Sequence, residues 1–423
     1  MDTLLVNTRM IDPRSAYHGQ TADILIREGR IASIAEAHSL DHSGCEVLEE
    51  ENQCVSPGWI DMRVHVPDPG LEHRESVGSA LEMAAQSGFT AVAFCPDTVP
   101  PADQKSILGY WESESHVHLT RILPLAAMSK QLAGKELAEL FDLYRSGALM
   151  FGDANRPIDR PGMLLKAMMY SQLFEGMINL VPAEGDLPEG QMHEGAVNVR
   201  LGLSGNPTLR ETMAVERIIA LLNYAGGRVH LSLVSSKEAV ALLREARQRG
   251  LPITADTSAH HLTFCDEDLK GYPTALKLQP PLRDRNDRQA LIEAVEAGII
   301  DVVVSDHTPL EPEAKACEFN LAQPGALGIQ TLFAQTLSAL KGDLSLTIEA
   351  LAIRPRKVLR LADDILATQT EANLTVFSPS AQWTLTRENN CSRSYNTPML
   401  GRPLCGKALA AIAGGKMIRN KTH

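Results

Sequence analysis

Eight short β-branched runs, separated by stretches of helical periodicity, constrain this chain more than any other feature. In order they end near His65, Cys95, Leu125, Gly152, Pro182, Val234, Asp256 and Asp306. Such alternation buries each strand on both faces and requires a parallel sheet wrapped by helices. The pattern predicts helices from Glu75 to Gly88, Lys135 to Ser146, Pro207 to Ala225, Ser236 to Gly250 and Asp287 to Gly298. Asn206 is the expected N-cap of the third, with Pro207 at its first position. Together these units predict an α/β fold of the (β/α)8 TIM-barrel type, with chemistry at the C-terminal strand ends. A doubly wound sheet shares the alternation, but no G-x-G-x-x-G follows the first run.

The two ends read differently. Leu4 to Val6, Ala22 to Ile26 and Ile31 to Ile34 are short strands with a turn at Gly29, and Leu374 to Phe377, Trp383 to Leu385 and Ala408 to Ala413 return to that texture. Both termini are therefore expected to build one small β-sandwich domain: 1–55 and 366–423 around a barrel of 56–365. Lys plus Arg total 40 against 52 for Asp plus Glu, a formal charge of −12 that repels a phosphate backbone. Nucleic acid is excluded as an expected partner. The seven cysteines contain no C-x-x-C pair, which fits a reducing cytoplasm, and no apolar stretch predicts membrane insertion.

The first strand end reads Pro57-Gly58-Trp59-Ile60-Asp61-Met62-Arg63-Val64-His65. Farther on stand Gly88-Phe89-Thr90-Ala91-Val92, Pro280-Pro281-Leu282-Arg283, Ser305-Asp306-His307-Thr308-Pro309, Gly325-Ala326-Leu327-Gly328 and Asn396-Thr397-Pro398. In this order they resemble the dihydroorotases of the amidohydrolase superfamily, along essentially the whole chain. That resemblance implies metal-activated hydroxide held by histidines and carboxylates, with one aspartate moving the proton.

The family's ligand positions can be checked one by one. Its first strand carries H-x-H, and here the pair is Arg63 and His65. Its fourth strand supplies a lysine or, in this branch, an aspartate, matched by Asp153. The fifth should open with histidine but has Pro182, which has no side-chain donor atom. The sixth, H-x-x-H-V-S in the family, reads His230-Leu231-Ser232-Leu233-Val234-Ser235, so Leu233 replaces the second histidine. Asp306 matches the proton-transfer aspartate of strand eight. His65, Asp153 and Asp306 thus read as vestigial, with ligands lost at Arg63, Pro182 and Leu233. Arg63 repels a divalent ion and is expected to pair with Asp153 or Asp306. No metal or other cofactor is expected at these positions.

Substrate groups change too. The family's carboxylate-binding arginine is matched by Pro67, its P-N-T asparagine by Asp97, and its K-x-N-P-P-L-R asparagine by Gln279. His260-His261 reads as a packing feature, and Cys95 as a buried thiol without a histidine neighbour in sequence. Gly401 to Ala408 only approximates a phosphate loop, since Ala408 replaces its Ser or Thr.

These departures lead to the expectation of a catalytically inactive homologue. Its implied partner is the aspartate carbamoyltransferase catalytic chain, because the resemblance extends to the non-catalytic dihydroorotase-like chain that accompanies that enzyme in bacteria. The resemblance implies a structural subunit of a hetero-oligomer in pyrimidine synthesis, with self-association also open. The enzymatic alternative is a zinc-dependent cyclic amidohydrolase with a rebuilt site, using Asp306 as base and one metal on His65 and Asp153. A third reading is a small-molecule sensor.

Overall fold

The computed structural model describes residues 2–421. Eight parallel strands follow one another around a barrel: Trp59–Val64, Phe89–Phe94, Arg121–Ala126, Met150–Phe151, Met177–Leu180, Arg228–Leu231, Ile253–Ser258 and Val302–Val304. The eighth returns to the first through the His65 amide, which donates to the His307 carbonyl at 2.8 Å, and a parallel bridge between Val64 and His307. This is the predicted (β/α)8 architecture.

Alternation along the strands sorts their side chains into two apolar layers. Ala91 and Ala93 join Leu123, Leu125, Met177, Val302 and Val304 in one cluster. Their neighbours Val92, Phe94, Ile122, Ile178 and Val303 pack in another with the helices. The helices start where side chains cap them. Ser76 closes a capping box on Val77–Gln86, Ser236 caps Lys237–Gln248, and Asp284 caps Arg285–Glu296. Other starts come later than expected: the second predicted helix is only Leu140–Arg145, and the third runs Leu209–Ala225 behind Thr208. Asn206 instead pairs with His193 in a two-residue bridge, so it lies before the turn and cannot cap.

The termini form a separate mixed sheet. Its order is Lys416–Arg419, Pro403–Ala413, Leu374–Thr384, Cys54–Pro57, Asp2–Met10, Thr21–Arg27 and Arg30–Glu36, with Cys45–Leu48 also paired to Asp2–Met10. Only Gly58 separates this sheet from the first barrel strand. Trp59 stacks on Phe333 with ring centres 4.4 Å apart and packs against Phe377 of the sheet at 5.5 Å. The buried Arg356 guanidinium donates to the Gly58 carbonyl at 2.7 Å, fixing the junction. Among the described residues, no helix is long and apolar enough to cross a membrane.

Candidate active site

Two non-glycine residues at strand ends adopt left-handed backbone, Leu233 (φ 58°) and Asp306 (φ 49°). Such conformations are costly for residues with a Cβ and cluster at functional sites. At strand eight the bend delivers the Asp306 carboxylate to Arg63, whose Nε donates to Oδ1 at 3.1 Å. The Arg63 guanidinium is fully buried. Its Nη2 donates to the Asn155 side-chain oxygen, and its Nη1 has no hydrogen-bond partner. Of the two partners expected for Arg63, Asp306 is the one it meets.

His65 lies between two carboxylates. Its Nδ1 is 2.8 and 2.9 Å from the two oxygens of Asp97, and its Nε2 is 3.4 Å from Asp306 without hydrogen-bond alignment. Burial alone favours neutral imidazole, but the charges of Asp97 and Asp306 outweigh it and hold the His65 pKa well above its ordinary value. Burial likewise opposes ionisation of Asp306, yet His65 and Arg63 keep that carboxyl below the usual carboxylate range. Beneath them, burial pushes the Asp61 carboxyl up to about 7. Asp61 Oδ1 accepts from the Ser305 amide at 3.1 Å and the Arg63 amide at 3.2 Å, holding strands one and eight together.

The opposite side of the barrel mouth is different. Gly152 ends strand four because a Cβ there would come 2.2 Å from the Asn179 carbonyl oxygen. Asp153, next in sequence, accepts from the Met128 and Ser129 amides at 3.0 and 2.9 Å and from the Ser129 hydroxyl. It clamps a loop. Pro182 is buried beyond strand five. Leu233 packs in the inner apolar cluster, and its amide donates to Asp256 at 2.7 Å. Asp256 also meets His230 Nε2 at 2.9 Å and accepts from the Ser232 hydroxyl at 2.9 Å. His260 and His261 are buried, which lowers each pKa to about 4, and they contact the Leu327 and Pro280 carbonyls. A zinc centre of the family type does not fit these residues. Its positions are held by a cation at Arg63, apolar side chains at 182 and 233, and a carboxylate at 153 committed to backbone amides.

Pro67 offers the substrate side no charge. Gln279 donates to Glu189 beside a cavity of about 390 Å³ that both residues line. The residue that sequence reasoning missed is Cys95. Its thiol lies with His65 and Asp97 in a group whose ligand atoms are all within 4.8 Å of one another. Thirty positions separate Cys95 from His65, but they end adjacent barrel strands, and that adjacency was the available signal.

Comparison with known proteins places this geometry. A family model described as dihydro-orotase-like matches residues 52–239. A relative named dihydroorotase from Anaeromyxobacter dehalogenans (strain 2CP-C) is 36% identical, covering 98% of this chain and 96% of the relative. Another of that name, from Syntrophus aciditrophicus, is 33% identical over 99% of both chains. Among solved structures, the L-hydantoinase (dihydropyrimidinase) of Arthrobacter aurescens superposes with a TM-score of 0.86 at 21% identity, over 100% of this chain and 97% of that one. That likeness establishes the fold.

These relatives correct the expectation of a catalytically inactive structural subunit. Full-length similarity to proteins that carry the enzyme's name stands against a chain retained only as an inactive subunit. The misreading came from equating lost ligands with lost chemistry, whereas Arg63, His65, Asp97 and Asp306 still assemble one charged centre at the strand ends. The chain belongs to the dihydroorotase-like family of amidohydrolases.

Proposed function

We propose that this chain is a dihydroorotase-type cyclic amidohydrolase whose active site has been rebuilt on strands one, two and eight. The observation that carries the reading is Asp306. Its carboxylate is held ionised at the eighth strand end, beside a buried guanidinium with one nitrogen, Nη1, that has no hydrogen-bond partner.

Opening a cyclic amide needs a base for the attacking water, a donor for the developing oxyanion and a proton for the departing ring nitrogen. Asp306 takes the water proton and returns it to the nitrogen. Arg63 Nη1, buried and lacking a partner, is the donor for the carbonyl oxygen once the mouth opens to it. Ring closure is the same path reversed. The test follows ring opening and closing with dihydroorotate, with and without added divalent cation. Because Pro67 and Asp97 offer no cation to a substrate carboxylate, an uncharged hydantoin ring is assayed as well. Expected is turnover that falls at least about 100-fold in Asp306→Asn. Wild-type rates at background under every condition would overturn the proposal.

The motif resemblance also supports a hetero-oligomer with an aspartate carbamoyltransferase catalytic chain, tested by size exclusion of the two proteins mixed and apart. A cytoplasmic setting accords with the free cysteines.

A further inference from the structure

We infer that the rebuilt site holds one thiophilic divalent cation, zinc or its analogues, on Cys95, His65 and Asp97. This rests on the reading of the chain as a hydrolase and deepens it by moving the metal off the family's positions. Strands one and two are hydrogen-bonded neighbours, so residues just past their ends share one corner of the mouth. Cys95 follows Phe94 and is fully buried, while His65 follows Val64 and is 4% exposed. Asp97 lies two residues farther along the loop with its outer face in solvent.

Thiolate, imidazole and carboxylate are donors that zinc accepts. Tetrahedral bonds of about 2.0–2.3 Å place donors about 3.5 Å apart. A ring nitrogen of His65, the Cys95 sulfur and an Asp97 oxygen all lie within 4.8 Å of one another, near that spacing. His65 Nδ1 faces Asp97, which leaves Nε2 directed at Asp306. A metal-bound histidine typically gives its other N–H to a carboxylate. The orphaned Nε2 has the Asp306 carboxylate as its nearest candidate for that bond, 3.4 Å away.

The neighbouring Arg63 guanidinium is already paired with Asp306. Three protein donors leave a fourth position open, the pattern of catalytic rather than structural zinc sites.

The test adds Co²⁺, then Zn²⁺, to chelator-treated full-length protein and reads sulfur-to-cobalt absorption together with metal content. One equivalent with a thiolate band is expected. The band should vanish and affinity fall at least about 10-fold in Cys95→Ser, whereas Cys265→Ser should keep both. X-ray absorption of the zinc-loaded wild type should show one sulfur at about 2.3 Å, independently of any variant's folding. No thiolate band, or one that survives Cys95→Ser, overturns the site. Metal bound on Cys95 without ring opening leaves the site standing and sinks the hydrolase reading. Ring opening that chelation does not touch, with no cobalt band, does the reverse.

Discussion

The two sides of the barrel mouth have diverged. Where strands one, two and eight end, ionisable groups crowd together, with Arg63 on Asp306 and His65 between Asp97 and Asp306. Where strands four, five and six end, equivalent positions have become wall: Asp153 clamps backbone amides, Pro182 is buried and Leu233 packs with apolar neighbours. The left-handed backbone persists on both sides, at Asp306 and at Leu233. The same left-handed strand-end geometry therefore carries a carboxylate on one side and an apolar side chain on the other. Chemistry concentrates where charges still face one another.

Removing a charge from the polar side should have the largest effect. Asp306→Ala leaves the fully buried Arg63 guanidinium unpaired, and breaking a buried ion pair costs about 3–5 kcal/mol. Urea denaturation measures it. A loss below about 1 kcal/mol, the scale of an exposed pair, would mean that the charged corner is not cohesive.

Putting a polar group into the wall should cost less. Leu233→His places an imidazole among apolar side chains, at about 1–3 kcal/mol for an unsatisfied buried polar group. It should add no second equivalent of cobalt. A stable variant that gained one would show the apolar side still able to bind metal, erasing the contrast.

The smallest effect is a pH dependence. His65 has a raised pKa in the folded protein, so its stabilisation is complete below the unfolded value of about 6.5 and is lost as pH rises through the folded value. The stability gap between wild type and Asp97→Asn should accordingly be widest between the carboxylate range and about pH 6.5. It should close at higher pH and shrink with salt, since Asp97 is partly in solvent. A gap independent of pH would show His65 to be neutral.

All eight strand ends were legible, because β-branched runs alternating with amphipathic stretches have few other solutions in a chain of this length. The helix at Leu209 was read two residues early, since Asn206 and Pro207 look like a cap and first turn while tertiary pairing with His193 takes Asn206 away. At the site, the sequence identified the substituted positions but not what replaced them. Arg63 had two candidate partners, and only the fold shows Asp153 turned toward Ser129. Asp97, matched in sequence only to a substrate-binding asparagine, is the partner of His65. Cys95 was passed over because a motif search looks along the chain, whereas barrel neighbours meet across it.

The sheet built from both termini has a consequence for synthesis. Strand Cys54–Pro57 pairs on one edge with Asp2–Met10, made just before it, and on the other with Leu374–Thr384. On the ribosome that second edge stays open while residues 58 to 373 are translated, about 15–60 s at roughly 5–20 residues per second. Throughout that interval Val55 and its neighbours present unpaired backbone next to a barrel that is still incomplete. The nascent chain is thus most exposed to wrong strand partners before its last fifty residues emerge, and a slow stretch of translation there would prolong the risk.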